Sequence, residues 1–380
     1  MRVVIAPDSY KECATAGRVA NAIAAGVKRA CPNAETVCVP MADGGEGTVE
    51  ALVSATKGTL HTTRVTGPMG QPVDAVWGML GDGRTAVIEM ATASGLALVP
   101  RDQRDPRIAT TRGTGELMRA ALDRGVTGMI LGIGSSATND GGAGMAQALG
   151  YSLLDDLGNE LPPGGAALAR LARIDSTNVH PRLVNSEVLV ACDVTNPLCG
   201  ANGASRVYGP QKGATPEMVE ELDVALRHYA TIIEPELKPG VSVIPGSGAA
   251  GGMGAGLMAF AGGRLQSGVE LVADAAQLDV AISNADLVIT GEGRIDGQTV
   301  NGKTPVGVAR VARRFRVPVV ALAGSLGSGY QGVYDHGIHA VFSICDSPMQ
   351  LDEAIARVEE LLTNAGETIT HFWQAARRDA

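Results

Sequence analysis

Both ends of this chain read in one alternation of short apolar strands and helix-spaced segments, and that alternation limits the fold more than any other feature. Residues 2–6 are a β-rich apolar run stopped by Pro7-Asp8, and from Thr15 to Ala30 the apolar positions Val19, Ala20, Ile23, Ala24 and Val27 recur at helical spacing. Residues 36–40 read again as strand and 47–56 as helix. At the other end come strand 286–290, helix 305–315, strands 317–323 and 339–344, and helix 351–364. Strands separated by helices predict a parallel sheet. Between the ends the texture changes. Segments 73–77 and 85–90 read as antiparallel strands joined through Gly81-Asp82-Gly83, followed by helix 113–124, strand 128–133, helix 142–149, strand 187–192 and helix 216–233. The expected architecture is α/β: a discontinuous parallel-sheet domain, 1–66 plus 285–380, with a second α/β domain of mixed sheet inserted at 67–284.

In an open parallel sheet, ligands bind at the carboxyl ends of the strands. The segments there are Pro7–Lys11, Met41–Glu46, Gly291–Asp296 and Gly324–Gly327. Parallel strands would gather Asp8, Ser9, Lys11, Asp43, Glu46, Glu292, Arg294, Asp296 and Ser325 along one edge. Such a set of glycines, carboxylates and cations suits a nucleoside triphosphate and its metal. Mg²⁺ takes one or two carboxylates and completes its shell with water and phosphate, so Asp43, Glu46 and Glu292 are candidates for the metal region, directly or through water, with the dipole of a helix start the other reading of Glu46. Residues 297–304 also match G-x-x-x-x-G-K-[ST], the phosphate-loop pattern. We discount that match, because six residues separate Thr290 from Gly297 and Pro305 follows at once. The looser reading, a Gly-rich charged loop for phosphate, is kept: Gly291, Gly293, Arg294 and Lys303 belong to it.

The inserted domain has its own loops. Gly134, Ser135 and Ser136 open a polar turn ahead of a helix start that could hold an anion, and Lys212 presents a cation in Gly-Pro-Gln-Lys-Gly. Asp193 and Asn196 follow a buried strand, where a base, a substrate contact or an Asx turn would each fit.

A formal charge of −9 argues against a nucleic-acid partner, and aromatics at 3% leave little for base stacking. The six cysteines form no C-x-x-C pair and read as reduced thiols of a cytosolic enzyme. No apolar run is long enough for a membrane span. Gly246–Gly251 and Gly132–Ala137 resemble dinucleotide fingerprints, which keeps an NAD-dependent hydroxy-acid oxidoreductase open; Pro245 breaks the strand-to-turn join at the first of them. The histidines lack zinc spacing, and Ser325 lacks a nucleophile elbow.

Taken in order, APDSYK (6–11), ADGGEGT (42–48), GTGELMRAAL (113–122), GIGSSATNDGGAG (132–144), ACDVTNPLCG (191–200), GPQKGAT (209–215), GAAGGMGAG (248–256) and VITGEGRIDGQTVNGKTP (288–305) strongly resemble the type I glycerate kinase family. The resemblance implies a flavodoxin-like domain and a second domain similar to a restriction-endonuclease core. It implies transfer of the γ-phosphate of ATP to D-glycerate with Mg²⁺, usually at the 2-position, in glyoxylate or sugar-acid catabolism. The chain departs from the family pattern at Ser135, where members commonly carry glycine, and at Cys13. Family versions of the last motif do not keep the glycine at 297 or the threonine at 304. On this reading Lys11 and Ser9 hold the glycerate carboxylate, with Asp8 and Asn196 also at the substrate. Lys303, Lys212 and Gly134–Ser136 hold phosphate oxygens. Asp193 orients the attacking hydroxyl and Asp296 serves the Mg-ATP side, in a site closed between the two domains. A nucleotide-sensing non-enzyme is the remaining alternative.

Overall fold

The computed structural model describes residues 1–300 and 302–378, and among them the chain is α/β. Five strands, all parallel, build the first sheet in the order Ala340–Ser343, Val319–Leu326, Leu287–Ile295, Arg2–Pro7, Glu35–Cys38. Val3, Val4, Ile5, Leu287, Val288 and Ile289 are fully buried, as apolar runs in a sheet covered on both faces must be. Helix Ala16–Ala30 lays Val19, Ala20, Ile23 and Val27 into this core, and its Lys28 and Arg29 complement the carboxyl end of the helix dipole. The long C-terminal helix Val358–Arg378 crosses it closely at Gly26, where a Cβ would lie 2.0 Å from the Thr363 carbonyl oxygen. A side chain there would push the two helices apart.

The inserted sheet has six strands in the order Arg264–Gln266, Glu187–Ala191, Gly128–Gly132, Thr85–Glu89, Pro72–Met79, Thr59–Thr66. The first four run parallel, and the last two add antiparallel pairs. Its core gathers Trp77, Leu117, Met118, Leu122, Tyr229 and Phe260. Burying each such side chain stabilises the unit by about 1.5–3 kcal/mol.

Three expectations shift. Contacts divide the chain into residues 1–43, 50–57 and 269–380 on one side and 44–49 and 58–268 on the other. The expected limits at 66/67 and 284/285 therefore move. The polar segment Thr59–Thr66 pairs along its whole length with Pro72–Met79 and belongs to the mixed sheet. The strand expected at 286–290 runs on to Ile295, paired with Val319–Leu326 through Arg294 opposite Ser325. Gly291–Ile295, read as loop, is strand. Glycine is needed there, because a Cβ on Gly291 would sit 2.2 Å from the Leu322 carbonyl oxygen. Helix 351–364 is two helices, Leu351–Ala356 and Val358–Arg378.

Candidate active site

Because the five strands of the first sheet are parallel, their carboxyl ends collect Asp8, Asp43, Glu292 and the loop before helix Thr304–Arg314. Asp8 Oδ1 accepts its neighbour Ser9's N–H at 2.6 Å and hydroxyl at 3.3 Å, and Asp8 Oδ2 accepts the Thr304 hydroxyl at 2.5 Å. Glu292 Oε1 accepts the Thr299 hydroxyl at 2.7 Å, and its other oxygen lies 3.5 Å from Lys303 Nζ. Burial pushes the Asp8 carboxyl up to about 6 against the Thr304 hydrogen bond, and the charge of Asp43 adds to the rise. Glu292 is likewise raised to about 6 by burial, with Thr299 and Lys303 opposing and Asp8 reinforcing. Asp8 therefore raises Glu292 and is itself raised by Asp43, while the Lys303 ammonium stands against Glu292.

Arg294 pairs with Asp296 at 3.2 Å and is largely exposed, while Lys303 faces Glu292 and not Asp296. Lys11 is exposed on the turn after Tyr10, beside Gly293. The grounds for discounting the phosphate-loop match do not hold. The strand reaches Ile295, so only Asp296 precedes Gly297, and Pro305 sits in the first turn of helix Thr304–Arg314, where proline is at home. Asn301 of that match lies outside the described residues.

In the mixed sheet the four parallel strands end at Glu89, the Gly134 turn, Asp193 and Gly268. Across these ends runs Gly44–Val49. A Cβ on Gly44 would meet that of Ala191 at 2.5 Å, and one on Gly132 would meet the Gly44 carbonyl oxygen at 2.5 Å. Glu89, absent from the residues picked by sequence, receives the N–H of Val49 at 2.8 Å and also bonds the N–H groups of Gly47 and Thr48. Its pKa is raised by burial, and by Glu46 nearby, against those bonds. The one signal in sequence is a carboxylate closing an otherwise apolar strand, Thr85-Ala-Val-Ile-Glu89. Glu46 thus acts beside Glu89, in the other unit from Asp43 and Glu292.

Asp193 is exposed, and both of its oxygens accept the Gly268 N–H, at 3.2 and 3.3 Å. Asn196 is committed at both ends of its amide, to the Asn202 carbonyl at 2.8 Å and the Tyr208 hydroxyl at 2.6 Å. It shapes the loop.

At the anion turn only Gly134 and Ser135 are exposed, and Ser135 holds φ +57 in the left-handed region. The bonds around the turn run from Leu96 N–H to Ser135 O and from Ala137 N–H to Ser94 O. They leave the N–H groups of Gly134, Ser135 and Ser136 without a backbone acceptor among the described residues. Successive N–H groups around a left-handed residue form an anion-binding nest. The expected helix start contributes nothing, because Asp140 itself takes the N–H groups of Gly142 and Gly144, together with the Thr111 N–H and hydroxyl. Lys212 is 1% exposed, and its ammonium donates to Ser136 Oγ at 2.8 Å and to the Thr138 carbonyl at 2.6 Å. It stands behind the turn, out of a ligand's direct reach.

The fingerprint-like Gly246–Gly251 follows a short 3-10 turn, Val241–Val243, and no strand. Its glycines serve packing: Cβ atoms on Gly248 and Gly251 would meet the carbonyl oxygens of Pro197 and Thr138 at 2.1 and 2.0 Å.

The Glycerate kinase family pattern matches residues 3–374. The chain belongs to that family. It is 53% identical over 380 residues to a glycerate 2-kinase of Escherichia coli K12, covering all of both chains. It is 54% identical over 367 residues to a glycerate kinase of Halalkalibacterium halodurans, covering 97% of each. A crystal structure described as glycerate kinase 2 of Salmonella typhimurium LT2 superposes with a TM-score of 0.92 at 51% identity, covering 100% of this chain and 99% of that one. The glycerate kinases are phosphotransferases.

Proposed function

We propose that the protein transfers the γ-phosphate of ATP to D-glycerate, giving 2-phosphoglycerate. The observation that supports this most is that a chain similar throughout to glycerate kinases carries a carboxylate-rich strand-end cluster in one unit and a backbone nest in the other. Phosphoryl transfer asks for positioning and charge neutralisation more than covalent chemistry.

The fit to Mg²⁺ rests on Asp8 and Glu292, whose carboxyls burial holds up at about 6, with Lys303 facing Glu292. Among the described residues no group of three or more His, Cys, Asp or Glu is placed to hold a metal alone. One or two of Asp8, Asp43 and Glu292 would therefore share the ion with phosphate oxygens, the usual manner of Mg²⁺. Bound there, it would neutralise charge on the transferring phosphoryl group. Arg294, Asp296 and Lys303, with Gly291 and Gly293, serve this nucleotide side. Gly134, Ser135 and Ser136 offer N–H groups to an anion. Lys11 and Ser9 are assigned to the glycerate carboxylate, and Asp193, pinned by Gly268, orients the attacking hydroxyl. Glu46 is reassigned to the Gly44–Val49 loop, and Asn196 to loop shape. No helix among the described residues is long and apolar enough to cross a membrane, and a cytoplasmic place is part of the same proposal.

ADP release coupled to D-glycerate, followed with and without Mg²⁺, tests the reading, and ³¹P–¹H NMR of the product tests the position. Turnover requiring both glycerate and Mg²⁺ is expected. ATP binding without turnover would favour a nucleotide sensor, and a 3-phosphate product would refute the 2-position.

A further inference from the structure

Resting on the reading that this protein takes anionic substrates, we propose that Lys212 is a positioning residue for the Gly134–Ser136 turn: its ammonium leaves the Ser136 hydroxyl free to donate to a bound anion and sets a positive charge behind three backbone N–H groups. The geometry carries the point. A hydroxyl that accepts from an ammonium, as Ser136 Oγ does at 2.8 Å, cannot donate its own proton to that ammonium. No acceptor for that proton exists among the described residues, so it is left for a ligand. The second Lys212 bond, to the Thr138 carbonyl, ties the far end of the same turn. The lysine is itself fixed: the 3-10 turn Pro210–Lys212 ends at Gly213 with φ +93, and a Cβ on Gly213 would lie 2.6 Å from the Arg104 carbonyl oxygen.

The groups facing Lys212 are few. Asp140 is the charge that acts on it, opposing its deprotonation. Tyr229, beside Asp140, donates to the Gly141 carbonyl, and the Arg104 guanidinium is occupied by the carbonyls of Leu96, Val99 and Gln211. Burial lowers the lysine to about 7. A neutral amine would accept the Ser136 proton, and the charge behind the turn and the free hydroxyl proton would be lost together. Anion affinity at this turn therefore falls as pH rises through neutrality.

The bound anion is a phosphate of the nucleotide or the carboxylate of glycerate, and calorimetry separates them. Inorganic phosphate, ADP and D-glycerate are each titrated into full-length wild type, Lys212→Met and Ser136→Ala, below and above neutral pH. Lys212→Met should weaken phosphate binding roughly ten- to a hundredfold, the range for a hydrogen bond to a charged group, and should abolish its pH dependence. Ser136→Ala should weaken it less and flatten the pH profile. Weakened ADP binding with glycerate unchanged assigns the turn to nucleotide phosphate, and the reverse assigns it to the carboxylate. Unchanged affinity for all three probes in Lys212→Met overturns the proposal. So does wild-type affinity that rises with pH, or a wild type that binds none of the three. If Lys212→Met fails to fold, Ser136→Ala decides alone, and unchanged binding there is the overturning result. Phosphate binding of the expected kind without glycerate-dependent ADP release would refute the kinase reading and leave the role of Lys212 standing.

Discussion

The strand ends of the two sheets solve opposite electrostatic problems with the same device. In the parallel sheet, carboxylates are drawn out of water until Asp8 and Glu292 rise to about 6. In the mixed sheet, a lysine is drawn out of water until it falls to about 7. Burial disfavours whichever charge it surrounds, so the first region favours a cation and the second an anion. The difference lies in what closes each region. Asp8 and Glu292 are met by the hydroxyls of Thr304 and Thr299, which lower their pKa values without removing the crowding. Behind the nest, Asp140 accepts four hydrogen bonds from Thr111, Gly142 and Gly144, and so holds the backbone rigid without help from a ligand.

The largest expected effects concern the base, and they could reverse the comparison. Asp193→Asn should lower kcat roughly 10²–10⁴-fold, the range for a positioned acid–base group, with little change in ATP affinity. Asp296→Asn should instead weaken Mg-ATP binding. Steady-state kinetics with each substrate varied would show this, and exchanged phenotypes would move the base to the carboxylate-rich region.

Next is a trade of activity against stability. Asp8→Asn removes a carboxyl raised from 3.8 to about 6 while keeping an acceptor for Thr304. At neutral pH the ligand-free variant should gain up to about 3 kcal/mol, one pKa unit being about 1.4 kcal/mol, and should lose most of its turnover. Urea unfolding beside the coupled assay checks both halves, and a destabilised variant would contradict the crowding described for this cluster.

A third expectation concerns pH, and its sign differs between the regions. Between 3.8 and about 6 the folded state holds the Asp8 proton longer than the unfolded chain, so this group's contribution falls as pH rises; Glu292 acts alike from 4.5 to about 6. Between about 7 and 10.5 the unfolded chain holds the lysine proton longer, so the Lys212 contribution rises with pH. Stability of wild type against Asp8→Asn and Lys212→Met should show the two slopes separately.

Much of the parallel sheet was legible because its strands are buried runs that only such a sheet accommodates, and from its direction followed the gathering of Asp8, Asp43 and Glu292. The strand Gly291–Ile295 was not, since glycine and charge in sequence read as loop, whereas here glycine permits close approach within the sheet. Thr59–Thr66 escaped for a related reason: it is a polar edge strand whose partner supplies the apolar half. The burial of Lys212 could not be read at all, because lysines are rarely inside and its partners lie more than seventy residues away. Asp140 lies ahead of the helix start expected to hold an anion, and only the fold shows that it occupies that start itself.

The smallest effect tests the nest. Ser135 sits at φ +57, which costs an L-residue about 1–2 kcal/mol, offset in Ser135→Gly by the greater freedom of glycine in the unfolded chain. A gain of about 0.5 kcal/mol in thermal unfolding is expected, with phosphate binding retained. A clear loss of stability would mean that the turn is not strained.

The central claim is that the two strand-end regions favour opposite charges independently, and thermal shift with one ion at a time tests it most directly. Mg²⁺ alone and inorganic phosphate alone are added to wild type, the double variant Asp8→Asn/Glu292→Gln, and Lys212→Met. The carboxylate variant should lose the Mg²⁺ shift and keep the phosphate shift, and Lys212→Met should do the reverse. Both shifts lost together in either variant, or the losses exchanged, would contradict it.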